Sequence, residues 1–317
     1  MALADHASAT FETGSAGAIM TVPGTTLPKG KFVIGSSIQF IENDEISDGE
    51  LERLGALDED VHSTESLLNV SANIAYGVTD NLTIGLVLPY IERSNVREAH
   101  NDMGVGEAEL AGDSKGLGDM SLFSQFRFYH DESSDIAIIA GIKTPTGETK
   151  ERENDGALFE SEQQPGSGSW DPFVGLSFNR SFNGIGISSN VLYTFLTEGQ
   201  QQTNLGDIFN YNFAVSYRAF SPEGNHGHQQ HDHGLGIIDY VDLVLELNGD
   251  HRERVEINGM SEENTGGHTL YISPGIRLSL GHSWSVYSSV GLPVVNDLNG
   301  TQSEPDYRLI AGISKSF

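Results

Sequence analysis

The chain has 317 residues, a net charge of −28 and no cysteine. It therefore has no disulfide framework, no Cys-based zinc or iron–sulfur site and no c-type haem, and a field of that sign excludes nucleic acid as a partner. No run of about 18 apolar residues occurs, which excludes a transmembrane helix. A mean hydropathy of −0.27 still allows a membrane barrel, in which only every second strand residue meets lipid.

In chain order, Ala2, Leu3 and Ala4 before Asp5 have the small-residue pattern of a signal-peptidase site, read either as a processed secreted form with the signal peptide removed or as an Ala-rich start. Residues 5–30 are rich in Gly, Ala, Thr and Pro, with Phe11, Ile19, Met20 and Val22 but no sustained alternation. They read as a disordered periplasmic tail or as a plug tucked into a lumen, and the insert is preferred. This divides the chain into an N-terminal segment, 1–30, and a barrel, 31–317.

Period-two alternation begins in Lys31–Glu42, where Phe32, Ile34, Ile38 and Phe40 share a face. It recurs in Ser66–Tyr76 (Leu68, Val70, Ala72, Ile74, Tyr76) and Leu82–Glu92 (Leu82, Ile84, Leu86, Leu88, Tyr90). A soluble sheet can alternate too. Segments of about 9–13 residues, however, match a tilted bilayer crossing and are roughly twice the mean soluble strand. Further strands are expected near 118–130, 135–143, 170–179, 184–195, 207–220, 238–248, 268–280, 284–294 and 307–317. Short connections alternate with long ones, as in transmembrane barrels. The expected fold is all-β, a transmembrane antiparallel β-barrel of about 12 strands in the bacterial outer membrane, with both termini periplasmic.

The last strand, Tyr307-Arg-Leu-Ile-Ala-Gly-Ile-Ser-Lys-Ser-Phe317, sets Tyr307, Leu309, Ala311, Ile313 and Phe317 on one face. It resembles the carboxy-terminal strand read by the barrel-assembly machinery, with Phe317 as the assembly signal. Lys315 interrupts the apolar face where a lysine can snorkel to headgroups. Tyr76, Tyr90, Tyr193, Trp170 and Trp284 fall near strand ends, where aromatic girdles contact outer-membrane lipid and lipopolysaccharide.

If the apolar positions face lipid, the alternate ones face a lumen. These are Gln39, Asn69, Asn73, Gln125, Arg127, Lys143, Asn190, Asn210, Asn212, Arg218, Asp242, Glu246, Arg277 and Arg308. Burying such charges without partners costs several kcal/mol each. The charged members form an ion-pair network, line and select a solute pathway, or do both. Twelve strands lie between the filled eight-stranded barrel and the open sixteen-stranded porin, so a narrow or partly plugged pore is expected.

Thr83-Ile-Gly-Leu-Val-Leu-Pro-Tyr90, Gly116-Leu-Gly-Asp-Met-Ser-Leu122 and Ala140-Gly-Ile-Lys-Thr-Pro-Thr-Gly147, with Leu27-Pro-Lys-Gly-Lys-Phe32, resemble blocks of the outer-membrane transporters named for the meta-pathway of phenol degradation. That resemblance implies a channel for hydrophobic or aromatic small solutes, loosely like the long-chain fatty-acid transporters. It assigns no binding residues.

Between 42 and 65 lie ten acidic residues and only one basic residue, Arg53. They read as a solvated acidic loop rather than a dedicated calcium site, since no EF-hand pattern occurs. His226, His228, His231 and His233 crowd a Gly-rich, expectedly periplasmic turn. Four imidazoles there suit a divalent metal, the one cofactor the chain could take; a polar low-complexity insertion without a physiological metal is the preferred account of its role. Three function classes follow: passive transport of a small solute, an outer-membrane protein linked to metal through that turn, and a hydrolase on a barrel scaffold. The third lacks a recognisable nucleophile motif, so no enzyme is expected. His130, His251, His268 and His282 are expected to be interfacial.

Overall fold

The computed structural model describes residues 18–221, 238–281 and 283–317. The alternating segments form strands because lipid on one side and a polar interior on the other reward opposite residue types at successive positions. The first are β1 (Phe32–Asp44), β2 (His62–Thr79) and β3 (Leu82–Asp102). β4 has two parts, Val105–Leu117 and Ser121–His130, which pair with β3 in succession. Then come β5 (Ser134–Lys143), β6 (Asp171–Phe182), β7 (Ile185–Thr194) and β8 (Ile208–Phe220). β9 (Ile238–Arg252), β10 (Gly267–Leu280), β11 (Trp284–Leu298) and β12 (Glu304–Ser316) complete the wall. Each strand pairs antiparallel with its chain neighbours, and β12 returns to β1 from Val33↔Ser316 to Asp44↔Glu304. The result is a closed barrel of twelve antiparallel strands. Closure leaves no free edge, the condition for a sheet to span lipid.

The faces follow the alternation. Ile34, Ile38, Ile74, Ile84, Leu88, Leu243, Leu245, Leu247, Leu309 and Ile313 point outward and are exposed, while Gln39, Asn69, Asn73, Glu246 and Arg308 are buried on the inner side. At the short-turn end, Phe317 stacks on Phe32 with centroids 4.5 Å apart. The Phe317 amide donates to the Phe32 carbonyl at 2.9 Å. Lys315 places its Nζ 4.9 Å from the Trp284 ring and 4.8 Å from that of Phe317. Its charge is thus met by an aromatic belt.

The long-loop end is more structured than the sequence implies. Residues 93–117 do not form a loop: β3 and β4 continue as a paired hairpin beyond the apolar band, because their amides pair with each other and need no membrane. A helix, α1 (Asp48–Gly55), capped by Ser47, lies on this hairpin. Ile46, Leu51, Leu54 and Val61 form a small core there against Ala99 and Ala108.

Inside the barrel two apolar clusters are shared between the wall and residues 18–28. Val22 and Leu27 join Val33, Ala75, Val87, Phe123, Ile139 and Phe173. Ile19 and Met20 join Val244, Tyr287 and Ile310. The N-terminal segment thus supplies part of the core of the barrel's own interior.

Candidate functional site

The polar wall and the entering segment meet at Glu246 on β9, whose side chain is shut off from water. Its carboxylate accepts from the Ile19 and Thr21 amides, both at 3.0 Å, and from the Met20 amide at 3.0 and 3.2 Å. Three successive N–H groups converging on one carboxylate form a charge-assisted set, each member stronger than a neutral hydrogen bond. Asn190 accepts from the Val22 amide at 2.9 Å, and Thr83 Oγ1 from the Leu27 amide at 2.8 Å. Gln125 donates through Nε2 to the Pro23 carbonyl at 2.6 Å, and Arg277 donates to the carbonyl of Ala18. A coil segment has no ladder of its own, and the wall side chains satisfy it in place of one. Two glycines permit the fit. A Cβ at Gly24 would lie 2.6 Å from the Asp135 carbonyl oxygen, and one at Gly275 would lie 2.5 Å from Ile19 Cδ1.

The remaining inward residues fall into local sets. Arg127 pairs with Asp135 at 3.1 Å, Lys143 with Asp171 at 2.8 Å, and Arg218 with Asp242 at 2.9 Å. Asn248 donates to Asn212 at 3.0 Å and accepts from Arg308 at 2.9 Å. Asn210 donates to Asp250. Gln39, Asn69 and Asn73 are buried on the β1–β2 wall; Asn69 accepts from Ser71, and none of the three touches the segment through a described hydrogen bond. His226, His228, His231, His233 and His282 lie outside the described residues.

Several participants were missed because they carry no motif. Thr83, Asn248 and Ser273 have only inward parity to mark them in the sequence. Arg93, just past the end of the alternation at Glu92, reads as part of a connection. It lies inward on β3, fully buried, and donates to the carbonyls of Gln163 at 3.1 Å and Gln164 at 3.3 Å. It thereby ties the 160–169 loop to the inner side of β3. Ser167 donates to Asp119 at 2.6 Å and accepts from Lys143 at 3.2 Å. Lys143 pairs with Asp171 and donates to Ser167, so this network pins the loop.

Outside the apolar band, at the long-loop end, His62 sits among carboxylates. Its Nε2 lies 3.2 Å from Glu98 and 3.8 Å from Glu160, and its Nδ1 lies 3.7 Å from Asp60. Asp60, His62 and Glu160 place ligand atoms within 4.8 Å of one another, a spacing a divalent cation could use, although His62 itself can supply the positive charge. Burial alone would lower its pKa, but Glu160, Glu98 and Asp60 together outweigh it and push the imidazole up to about 10. The His62 hydrogen bond holds Glu98 below the usual carboxylate range, while burial and the nearby Glu98 raise Glu153 to about 7. A folded-state pKa above the ordinary 6.5 gives stability that is full below pH 6.5 and is lost as pH rises toward 10. The stability advantage of the native chain over His62→Gln should therefore shrink steadily across that interval in thermal melts. A pH-independent difference would contradict the raised imidazole pKa.

A closed antiparallel barrel with an apolar outer band and a polar interior is the fold of an outer-membrane β-barrel, and it places the chain in the bacterial outer membrane. The family model described as "Putative MetA-pathway of phenol degradation" matches residues 43–292, and the chain belongs to that family. Among solved structures, the COG4313 outer membrane channel from Pseudomonas putida F1 has a similar fold. The TM-score is 0.62 at 12% identity, covering 93% of this chain and 98% of that one. The CymD monoaromatic hydrocarbon channel is a looser match, with a TM-score of 0.45 at 11% identity over 92% of this chain and 88% of its own. No curated protein matches the sequence.

Proposed function

We propose that the chain is a gated channel for passive passage of small hydrophobic solutes, with residues 18–28 as its plug and the short turns facing the periplasm. The observation that carries this reading is the buried docking of Ile19, Met20 and Thr21 on Glu246. A wall that devotes a water-excluded carboxylate to three backbone amides holds that segment in one place. Such a contact is also reversible, since the amides can exchange it for water. A hydrophobic cargo is supported by the inward apolar cluster of Ile41, Leu67 and Ile91. It agrees with the phenol-degradation family to which the chain belongs. Twelve strands leave too little room for a wide aqueous pore.

The reading is tested by uptake of labelled toluene and labelled glucose into porin-deficient Gram-negative cells with intact lipopolysaccharide. Expression of the chain should raise toluene uptake several-fold and leave glucose uptake unchanged. Equal stimulation of both solutes, or of neither, would count against it.

A further inference from the structure

At the start of β2, negative charge outweighs positive. His62 has Glu98 at 3.2 Å and Glu160 at 3.8 Å from Nε2, and Asp60 at 3.7 Å from Nδ1. Glu98 also acts on Glu153, and Glu262 on Glu160. In the barrel wall Arg127, Lys143 and Arg218 each hold a carboxylate within 3.1 Å. Here, among the described residues, no lysine or arginine is ion-paired with Asp60, Glu98, Glu153 or Glu160. A single imidazole thus answers several carboxyl groups gathered at short range, where like charge is costly. An acidic surface is ordinarily solvated, but this one has a histidine side chain only 7% exposed built into its middle.

The imidazole is oriented for a ligand. Nε2 lies within hydrogen-bond distance of Glu98, whose ionised carboxylate only accepts, so Nε2 carries the hydrogen. In the neutral ring Nδ1 then presents its lone pair. It faces Asp60 across a gap too long for a hydrogen bond. A histidine that gives its other N–H to a carboxylate is fixed in the way metal-ligating histidines are. Asp60, His62 and Glu160 each place a ligand atom within 4.8 Å of the other two. Donors that share one ion at about 2.1 Å lie roughly 3 to 4 Å apart, so small side-chain movements complete the set. Neither the Asp60 nor the Glu160 carboxylate has a hydrogen bond among the described residues, and both reach solvent, at 50% and 36% exposure. They can turn onto an ion, and the ion has a way in.

We propose that Asp60, His62 and Glu160 bind a zinc ion, with Glu98 as the carboxylate that orients His62. One imidazole nitrogen and two carboxylates, with solvent completing the sphere, suit zinc. Calcium and magnesium favour all-oxygen sets of about six or more. The ligands come from the entry to β2 and from the connection between β5 and β6. Zinc therefore fastens that connection close to the Arg93 contacts that tie it to β3. Without zinc, a protonated His62 answers part of the charge; the metal takes the place of its Nδ1 proton. The site does not depend on the transport reading.

Calorimetric titration of the full chain in detergent with zinc, calcium and magnesium tests the site. His226, His228, His231 and His233 also suit zinc, so the titration is made on a chain in which all four are replaced by Ser. That chain should bind zinc saturably and should melt at a higher temperature with zinc than with chelator. Calcium and magnesium should bind at least about tenfold more weakly than zinc. His62→Gln and Glu160→Gln, each made in the same chain, should weaken zinc binding by at least about tenfold, since each removes a ligand. Three results would overturn the proposal: no saturable zinc binding, calcium affinity equal to that for zinc, or undiminished zinc affinity in either substituted chain. Should His62→Gln fail to give a heat-modifiable barrel, Glu160→Gln decides. Its carboxylate holds no described hydrogen bond, so unchanged zinc affinity in that chain is equally fatal.

Discussion

Replacing Glu246 with Ala should release the N-terminal segment while leaving the barrel closed and folded. The substitution leaves the amides of Ile19, Met20 and Thr21 without their acceptor. At about 1 kcal/mol for each orphaned amide, docking weakens by roughly 3 kcal/mol, on the order of a hundredfold in the docked population. Amide hydrogen exchange reads this locally. Protection over residues 19–21 should fall by about that factor, whereas the strand amides of β1 and β12, which pair only with each other and β2 or β11, should not change. Glu246→Gln retains one acceptor oxygen and should lie between. Undiminished protection in Glu246→Ala would mean that the apolar contacts of Ile19, Met20 and Val22 hold the segment alone.

Loss of the Phe317 side chain should reduce the yield of folded barrel in cells far more than it alters a barrel already formed. Phe317 stacks on Phe32 across the seam where the last strand meets the first, and the backbone bond between the two residues ends that ladder. An aromatic pair of this kind contributes about 1 kcal/mol beyond its burial. The finished barrel retains the rest of the β1–β12 ladder, from Val33 to Asp44. During closure that contact is the first one available at the short-turn end, so its absence is felt most there. Phe317→Ala should lower heat-modifiable protein in outer-membrane fractions by roughly tenfold, with the melting temperature of the purified remainder nearly unchanged. Normal yield together with a strongly lowered melting temperature would reverse the assignment and make Phe317 a stability residue.

The wall was legible because a membrane barrel imposes one rule on every strand. Leu243, Leu245 and Leu247 outward against Asp242 and Glu246 inward can be read from spacing alone, and the structure keeps that parity from Asp242 to Asn248 of β9. The same rule placed Glu246, Gln125, Asn190 and Arg277 inside. It could not say that these four converge on residues 18–23, because they come from four separate strands and their common ligand is a coil without periodicity. Parity also fails to tell a paired charge from an unpaired one. Asp242 and Arg308 look alike in the sequence, yet Arg218 answers the first and, among the described residues, no carboxylate answers the second. Beyond the apolar band the rule lapses. The β3–β4 extension and α1 were therefore hidden in what read as acidic loops, and the His62 cluster, drawn from 60–62, 98 and 160, left no local mark.

The central claim is that residues 18–28 close the lumen. It is tested most directly by single-channel recording in planar bilayers, comparing the native chain with one that lacks residues 1–28. The deletion removes every described hydrogen bond to Glu246 and Asn190 from the segment and leaves β1 intact from Phe32. The native chain should stay closed with rare brief openings, and the shortened chain should show a steady conductance from the first insertion. Equal conductance before and after deletion, whether both open or both closed, would contradict the account.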